Sequence, residues 1–575
     1  MSEKWMVAAK KADFNQIAKD FSIDPVIARL IRNRDVTGND EIRRYLYGDL
    51  KDLYPPETMK DLRKAAELML FKIRSGARIR IIGDYDIDGI TASYILKTGL
   101  ARLGGRIDVR IPDRIRDGYG LGNRLVKEAI EDGVDTILTC DNGIASAEAI
   151  CMAKEAGLCV VVTDHHEVPY TEDEEGRRNF IIPQADAVVD PKQEDCSYPF
   201  KGLCGAAVAF KLICCMYDLC ESLEIPASEK EALLPFAAIA TIGDVMDLKD
   251  ENRILVKEGL RRIADTKNIG IRELVRQNNL DIRTLSVYHI GFVIGPCLNA
   301  SGRLDHASRA LDLLCADNVK DAARLAGDLI ALNESRKRMT EIGFHEAVEM
   351  VEESSLKKDK VLVVYLPEIH ESLAGIIAGR LRERYQKPVF VLTRTEKGVK
   401  GSGRSIESYS MYDELVKCRD LLTKFGGHPM AAGLSMEEKN VAVFRKQMNE
   451  KCTLTEEELR KVIHIDVPMP IGYVTHKLVD QIDLLQPFGK GNEKPVFAEK
   501  NIKISGMRVL GKNRNVVKMR VTNANGYTLD GVYFGDGDAF ADFVNRHDQV
   551  SVTYFPSIDH YMNRETLQIT IGSYC

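Results

Sequence analysis

The chain has 575 residues, 45% of them hydrophobic and 29% charged, and a net charge of −6 at pH 7, which fits a soluble globular protein of several domains. Thirteen cysteines, an odd number without a C-x-x-C pair, exclude a disulfide framework and a structural zinc site and fit free thiols in a reducing cytoplasm. The acidic balance does not exclude nucleic acid, because a local basic groove is what tracks a phosphate backbone.

The first residues, from Met1 to Trp5, show no basic segment leading into an apolar one, so no secretory signal is expected. The most apolar stretch, 203–216, is broken by Lys211, and nothing approaches the roughly 20 apolar residues that span a bilayer. Residues 1–75 read as helical and amphipathic. From 78 to about 245, apolar runs alternate with helical patterns, the mark of βα units and a mainly parallel sheet. Strands are expected at 78–83, 106–111, 135–140, 159–163 and 186–189. A helix-rich stretch follows, with a long periodic segment at 321–352 (Leu325, Leu329, Leu332) that reads as a spacer between two lobes. A second α/β unit starts at 360–365 and runs through 388–393 to about 452. The last hundred residues change character, with strands expected at 502–510, 516–522, 527–534, 549–555 and 566–571. Asn525-Gly526 marks a hairpin, and a short helix at 539–545 separates the third strand from the fourth. That order is the order of an OB-fold barrel.

The densest chemistry follows the first strand. Asp84, Asp86 and Asp88 alternate in the sequence IIGDYDIDG, and extended backbone puts alternate residues on one face. Carboxylates packed this closely raise one another's pKa, and a hard divalent cation resolves the conflict. An EF-hand calcium loop shares the D-x-D-x-D-G pattern but wants Glu at its twelfth position. Here that position is Ile95, and a strand rather than a helix precedes the loop.

Other strand ends carry matching groups. Arg114 follows the second strand, Asp141-Asn142-Gly143 the third, and Asp164-His165-His166 the fourth. Open α/β sheets bind ligands beyond the carboxyl ends of their strands, so these loops are expected to converge. Adjacent side chains leaving a strand diverge, so one histidine can bind metal while the other faces a substrate phosphate. Asp164 is placed to orient an imidazole from behind. Asp244, ending the apolar run 236–242, is a further acid for the set. Carboxylate and imidazole without thiolate favour manganese or magnesium over zinc or copper. The acids suffice for two ions roughly 3.5–4 Å apart sharing a bridging carboxylate, the arrangement that activates water in phosphoryl transfer.

These motifs resemble the DHH phosphoesterase superfamily, and the chain from Asp24 onward is similar to its branch of bacterial single-strand-specific 5′→3′ exonucleases. Besides the loops above, the resemblance rests on Asp117-Gly118-Tyr119-Gly120, Leu203-Cys204-Gly205, Gly243-Asp244, Gly295-Pro296 through Arg303, Gly401-Ser402-Gly403-Arg404-Ser405, Gly426-Gly427-His428 and Pro487-Phe488-Gly489. It implies that Asp84, Asp86, Asp88, Asp141, His165 and Asp244 bind two manganese or magnesium ions, with Asp141 bridging. It further implies that His166, Asn299 and Arg303 hold the scissile phosphate, and that Ser402, Arg404 and His428, with Arg114, meet the 5′ end of the strand. Glycine-flanked turns and an Arg fork suit that anion. The domains implied are an N-terminal helical segment (1–75), a DHH catalytic domain (76–260) and a helical connector with a phosphate-contacting loop (261–355). A DHH-associated α/β domain (356–455) and an OB-fold nucleic-acid-binding domain (460–575) complete the chain. Single-stranded DNA is the implied partner, with single-strand-binding protein and a helicase, in a cytoplasmic monomer serving DNA repair and recombination. Two positions depart from the pattern. Ile82 stands where related phosphatases place a histidine, which leaves open whether Asp84 or Asp86 ligates the first metal. Ile369-His370-Glu371-Ser372 stands in place of a Trp-His-x-Gly run, and His370 reads as a turn residue.

Two rivals share parts of this reading. A phosphodiesterase for short oligonucleotides or cyclic dinucleotides has the same two lobes. Against it stands the barrel, whose Tyr527, Tyr533, Phe534, Tyr554 and Phe555, with Lys512, Arg514, Lys518 and Arg520, resemble a platform for a longer strand; about half of these aromatics are expected in the barrel core. A non-catalytic replication scaffold of the same superfamily would have lost metal ligands, and here the set is intact.

Overall fold

A computed structural model describes residues 3–575 apart from 114–116, 118–119, 174, 305–306 and 562–563. Five strands form one parallel sheet: β1 (Arg78–Ile82), β2 (Arg106–Arg110), β3 (Thr136–Cys140), β4 (Cys159–Thr163) and β5 (Ala187–Val189). Their spatial order is β2-β1-β3-β4-β5. Strands β3 and β4 read TILTC and CVVVT and are buried throughout, as parallel strands covered on both faces must be. On one face Leu125, Val126, Ile150 and their neighbours pack on Ile137, Val160 and Val162. The other is covered by the helices Ile87–Arg102, Gly205–Leu219 and Leu234–Gly243. From β1 the chain steps to β2 on one side and returns to β3 on the other, so Ile81 pairs with both Val109 and Leu138. The loops after β1 and β3 therefore splay apart at a topological switch point, where such sheets bind ligands.

The lysine that interrupts the apolar stretch sits inside the helix Gly205–Leu219, where nearly every side chain is buried. Lys211 Nζ donates to Glu251 Oε1 at 2.5 Å and to the Tyr54 carbonyl at 2.7 Å, and the Tyr198 hydroxyl also donates to Glu251. A buried ammonium is tolerated because it is paired and hydrogen-bonded.

The N-terminal region begins with a strand, Lys4–Val7, ahead of the helices Phe14–Phe21, Pro25–Asn33, Asn39–Tyr47 and Leu62–Arg74; the sequence showed only the helices. Asp24 caps the second of them, its carboxylate accepting from Val26 N at 2.8 Å, with Pro25 in the first turn. Ile27, Leu30, Ile31 and Leu46 share one hydrophobic core with Val467, Phe497, Val521 and Ile569 of the C-terminal barrel. The first three of these helices thus pack into the barrel's core, whereas the helix Leu62–Arg74 packs against the helix Gly205–Leu219 and β5.

Five further strands form the sheet of the second lobe: β6 (Leu362–Tyr365), β7 (Val389–Thr395), β8 (Gly398–Arg404), β9 (Leu422–His428) and β10 (Ala431–Met436), in the order β9-β10-β8-β7-β6. Only β6 and β7 run parallel. The long helix Val319–Glu353 precedes this lobe. The barrel comprises β11 (Phe497–Leu510), β12 (Val516–Thr522), β13 (Thr528–Phe534), β14 (Val550–Tyr561) and β15 (Arg564–Tyr574), with a helix, Gly537–Asn545, after the third strand. β11 pairs with both β12 and β14 and closes it. Gly526, at φ +79, turns the β12–β13 hairpin.

By contact the chain forms two compact units. Trp5–Asn299, Ala307–Ala326 and His464–Cys575 make up one, and Met1–Lys4, Ala300–His306 and Gly327–Ile463 the other. Among the described residues no helix is long and apolar enough to cross a membrane.

Candidate metal centre

The loop after β1 becomes a helix almost at once. Asp86 is its N-cap, Oδ1 accepting from the backbone N–H of Asp88 at 3.0 Å and of Gly89 at 3.1 Å. Asp88 therefore already lies in the first turn, and its carboxylate faces the N-terminus of a second helix. Gly205 N–H donates to Asp88 Oδ2 and Ala206 N–H to Asp88 Oδ1, both at 2.7 Å. Two helix ends thus hold two of the three aspartates, as helix dipoles favour.

Asp141, at the end of β3, has φ 61, and its N–H donates to the Thr163 carbonyl at 3.1 Å. The Asn142 amide donates to the carbonyls of Ile82 at 3.1 Å and Cys140 at 2.9 Å, clamping the ends of β1 and β3 together. His165, from β4, places Nε2 3.0 Å from Asp141 Oδ1, 3.4 Å from Asp88 Oδ2 and 4.0 Å from Asp244 Oδ2. His166 lies beside it, the two ring centroids 4.4 Å apart, with its Nδ1 2.7 Å from Asp164 Oδ1 and 4.0 Å from Asp141 Oδ1. Asp164 is fixed in turn, Oδ2 accepting from Ile144 N at 2.9 Å and Oδ1 from His165 N at 2.7 Å.

Three overlapping groups have ligand atoms all within 4.8 Å of one another: Asp84, Asp86 and Asp141; Asp88, His165 and Asp244; and Asp141, His165 and His166. Burial, then charge from neighbouring carboxylates, pushes Asp84 and Asp244 up to about 8 and raises Asp86 and Asp141. Burial lowers His165. Each of these groups is driven towards its uncharged form, the response of a carboxylate cluster lacking a counter-cation. Asp84 Oδ1 and His165 Nδ1 are buried without a hydrogen-bond partner. An all-oxygen and imidazole donor set with an orphaned carboxylate oxygen fits hard divalent ions. Burial alone would depress His166, but its bond to Asp164 outweighs this and raises it to about 9.

Asn299 joins this site, Oδ1 accepting from Ile87 N at 2.8 Å. Arg303 belongs to the other unit, where Nη1 donates to the Ser372 carbonyl at 3.0 Å. Arg114 lies outside the described residues. In the second lobe Ser402 and Arg404 point to one face of β8, with Arg404 Nη1 3.3 Å from Ser402 Oγ. The alternating glycines, Gly401 and Gly403, face the core; a Cβ on Gly401 would meet Leu392 Cδ2 at 2.4 Å, and one on Gly403 would meet Phe390 Cε1 at 2.7 Å. His428 and Arg404 both pair with Ala431 of β10, from opposite sides, so they stand two strands apart, about 10 Å. His370 caps the turn Glu371–Leu373, its Nδ1 accepting from Ser372 N at 3.3 Å.

Not every expected strand contact is available. Tyr554 is buried, its hydroxyl donating to the Met469 carbonyl, and Tyr533 stacks on Phe540. Tyr527 and Phe534 are exposed. Arg514 is paired with Asp538 and Arg520 with Asp530. Sequence reasoning missed two polar residues here. Asn142 was visible beside Asp141 but gave no sign of its clamping role. Asp190, one residue past β5, is fully buried, and burial, then Asp164, pushes it up to about 7.

The fold and this centre define a metal-dependent phosphoesterase. Family models match at residues 78–241 (DHH family, N-terminal domain), 358–454 (DHHA1 domain) and 465–573 (RecJ OB domain). The single-stranded-DNA-specific exonuclease RecJ of Bacillus subtilis is 35% identical over 573 residues, covering 99% of this chain and 70% of that protein. Its Escherichia coli counterpart is 33% identical, covering 96% of each. The crystal structure of RecJ from Thermus thermophilus in complex with Mn2+ superposes with a TM-score of 0.82 at 27% identity, covering 100% of this chain and 79% of that one. The same protein in complex with Mg2+ gives 0.77 at 26%, covering 99% and 78%. The chain belongs to the RecJ family.

Proposed function

We propose that this chain is a metal-dependent exonuclease that hydrolyses single-stranded DNA from its 5′ end to 5′-mononucleotides, in DNA repair and recombination. The observation that carries it is the convergence of three ligand groups, sharing Asp141 and His165, at the switch point of the sheet. Asp84, Asp86 and Asp141 would hold one Mn2+ or Mg2+ ion, and Asp88, His165 and Asp244 the other, with Asp141 between them. Bound there, two such ions activate a water and stabilise the leaving oxygen.

The chain's own residues do the rest. Asp164 fixes the His166 ring through Nδ1 and favours its protonated form, so His166 can hold an anionic phosphate oxygen or give a proton from Nε2. Asn299 and Arg303 complete the phosphate contacts, and Arg114, Ser402, Arg404 and His428 receive the 5′ end. The exposed rings Tyr527 and Phe534 of the barrel offer faces for bases of a longer strand. The domain boundaries proposed are those read from the sequence, with the helices Phe14–Phe21, Pro25–Asn33 and Asn39–Tyr47 contributing to the core of the barrel. The chain is assigned to the cytoplasm as a monomer that works with single-strand-binding protein and a helicase.

Digestion of 5′- and 3′-end-labelled single strands, DNA and RNA, with Mn2+ and then with EDTA tests this reading. Release of mononucleotides from the 5′ end of DNA, abolished by EDTA, is expected. Cleavage of dinucleotides and trinucleotides with long strands left intact would favour a short-oligonucleotide phosphodiesterase. No cleavage of either would favour the scaffold.

A further inference from the structure

We propose that Tyr288 and Phe292 form a base-stacking step that seats the substrate strand beside the metal centre, an inference that rests on the single-strand reading above. The two rings stack with centroids 5.1 Å apart and planes 26° from parallel, yet they are 63% and 69% exposed. So much aromatic surface left in water forgoes burial energy. Paired parallel rings present a π-face to a base, which is how single strands are held without regard to sequence.

The backbone beneath them is anchored in the core. Val287–His289 continues into a π-helical turn, Ile290–Ile294, a device common at functional sites. Ile290 and Ile294 are fully buried, and the turn packs against the helix Leu234–Gly243. It runs directly into the helix Gly295–Leu304, whose Asn299 accepts from Ile87 N in the aspartate loop at 2.8 Å. Phe292 therefore lies about 10 Å, at 1.5 Å per helical residue, from a side chain bonded to the metal loop.

Neighbouring charge suits a phosphate backbone. Tyr288 lines a groove of about 900 Å³ with Phe488, Phe555, Lys257, Arg283 and Lys494. The Lys494 ammonium lies 5.4 Å over the Phe555 ring, which Phe488 meets edge-on at 6.1 Å. Rings interleaved with cations are the chemistry of a single-strand groove. Asp480, Asp483 and Glu565 line it too, with Gln486 and His560 and with Arg261 as a further cation.

The test uses the full chain with Mn2+ and strands carrying 2-aminopurine at successive positions, with Asp141→Ala to prevent cleavage. Quenching is expected at one or two positions near the 5′ end and is expected to vanish when Tyr288→Ala and Phe292→Ala are added. In the active chain this pair should raise KM for long strands at least about 5-fold, the lower end of stacking one base. Tyr288→Phe alone, which keeps both rings, should leave KM at the parent value, and in the alanine pair metal affinity and Tm should stay unchanged because the rings are exposed. On a strand abasic at the quenched position the alanine pair should add no further loss. An unchanged KM with persistent quenching, or an equal loss on the abasic strand, would overturn the proposal; the former would leave the patch to a protein partner. Failure of the unsubstituted enzyme to cleave single strands at all would overturn the underlying reading with it.

Discussion

Gly205→Ala is the most informative single substitution. A Cβ at Gly205 would lie 2.6 Å from Asp141 Cβ and 2.8 Å from its Cα. Carbon atoms sit at about 3.5 Å or more when unstrained, so something must move by about 1 Å. Asp141 cannot yield easily, since its left-handed backbone is held by the bond to Thr163 and by the Asn142 clamp. If the helix Gly205–Leu219 retreats instead, the two 2.7 Å bonds to Asp88 lengthen. Either way one metal-facing carboxylate is displaced. Overpacking of this kind costs about 1–3 kcal/mol of stability, and a misplacement of about 1 Å in a catalytic constellation costs on the order of 100-fold in rate. Urea unfolding, Mn2+ titration calorimetry and single-turnover digestion of a labelled strand measure the three effects. Gly379→Ala is the control: a Cβ there meets nothing within 4 Å, inside the helix Ala374–Tyr385. It should stabilise by roughly 0.5–1 kcal/mol and leave the rate unchanged. A Gly205→Ala enzyme with rate and metal affinity within twofold of the parent would refute the reasoning.

Separate roles for the histidines predict that His165→Ala loses metal by calorimetry, whereas His166→Ala keeps it and loses rate; equal metal loss from both would sink the division. Lys211→Met leaves the buried Glu251 carboxylate without its cation, with the Tyr54 N–H and the Tyr198 hydroxyl as donors, and should cost about 3–5 kcal/mol in urea unfolding. Part of this should be recovered in Lys211→Met/Glu251→Gln, whose neutral amide still accepts from those donors; a single variant within about 1 kcal/mol of the parent would contradict this. Metal dependence should grow with pH. Asp84 and Asp244 titrate near 8 in the metal-free fold, against about 3.9 when unfolded. Carboxyls raised in this way lend stability at low pH, which declines above about 4 and is lost as pH passes 8. A cation relieves that loss, so the Tm gain on adding Mn2+ should be small at pH 6 and larger at pH 8.5, and a gain that shrinks with pH would count against the cluster as metal ligand.

Periodicity and residue type in the sequence were enough for the parallel sheet, the long helix and the barrel, because buried strands and amphipathic helices must write their burial into the chain. They were also enough to show where the acids and histidines fall, since a strand end is marked by the change from apolar to polar. Tertiary structure alone decided the partners. The aspartate run reads as a strand continuation, yet Asp86 caps a helix and Asp88 is held by a different helix more than a hundred residues on. Lys211 looked like a break in an apolar helix until Glu251 and Tyr54 were found around it. The first three N-terminal helices showed an apolar face without saying what covers it, and the barrel at the other end of the chain does. Burial is local information carried by each residue, whereas which groups meet depends on contacts between distant segments that no single stretch of sequence encodes.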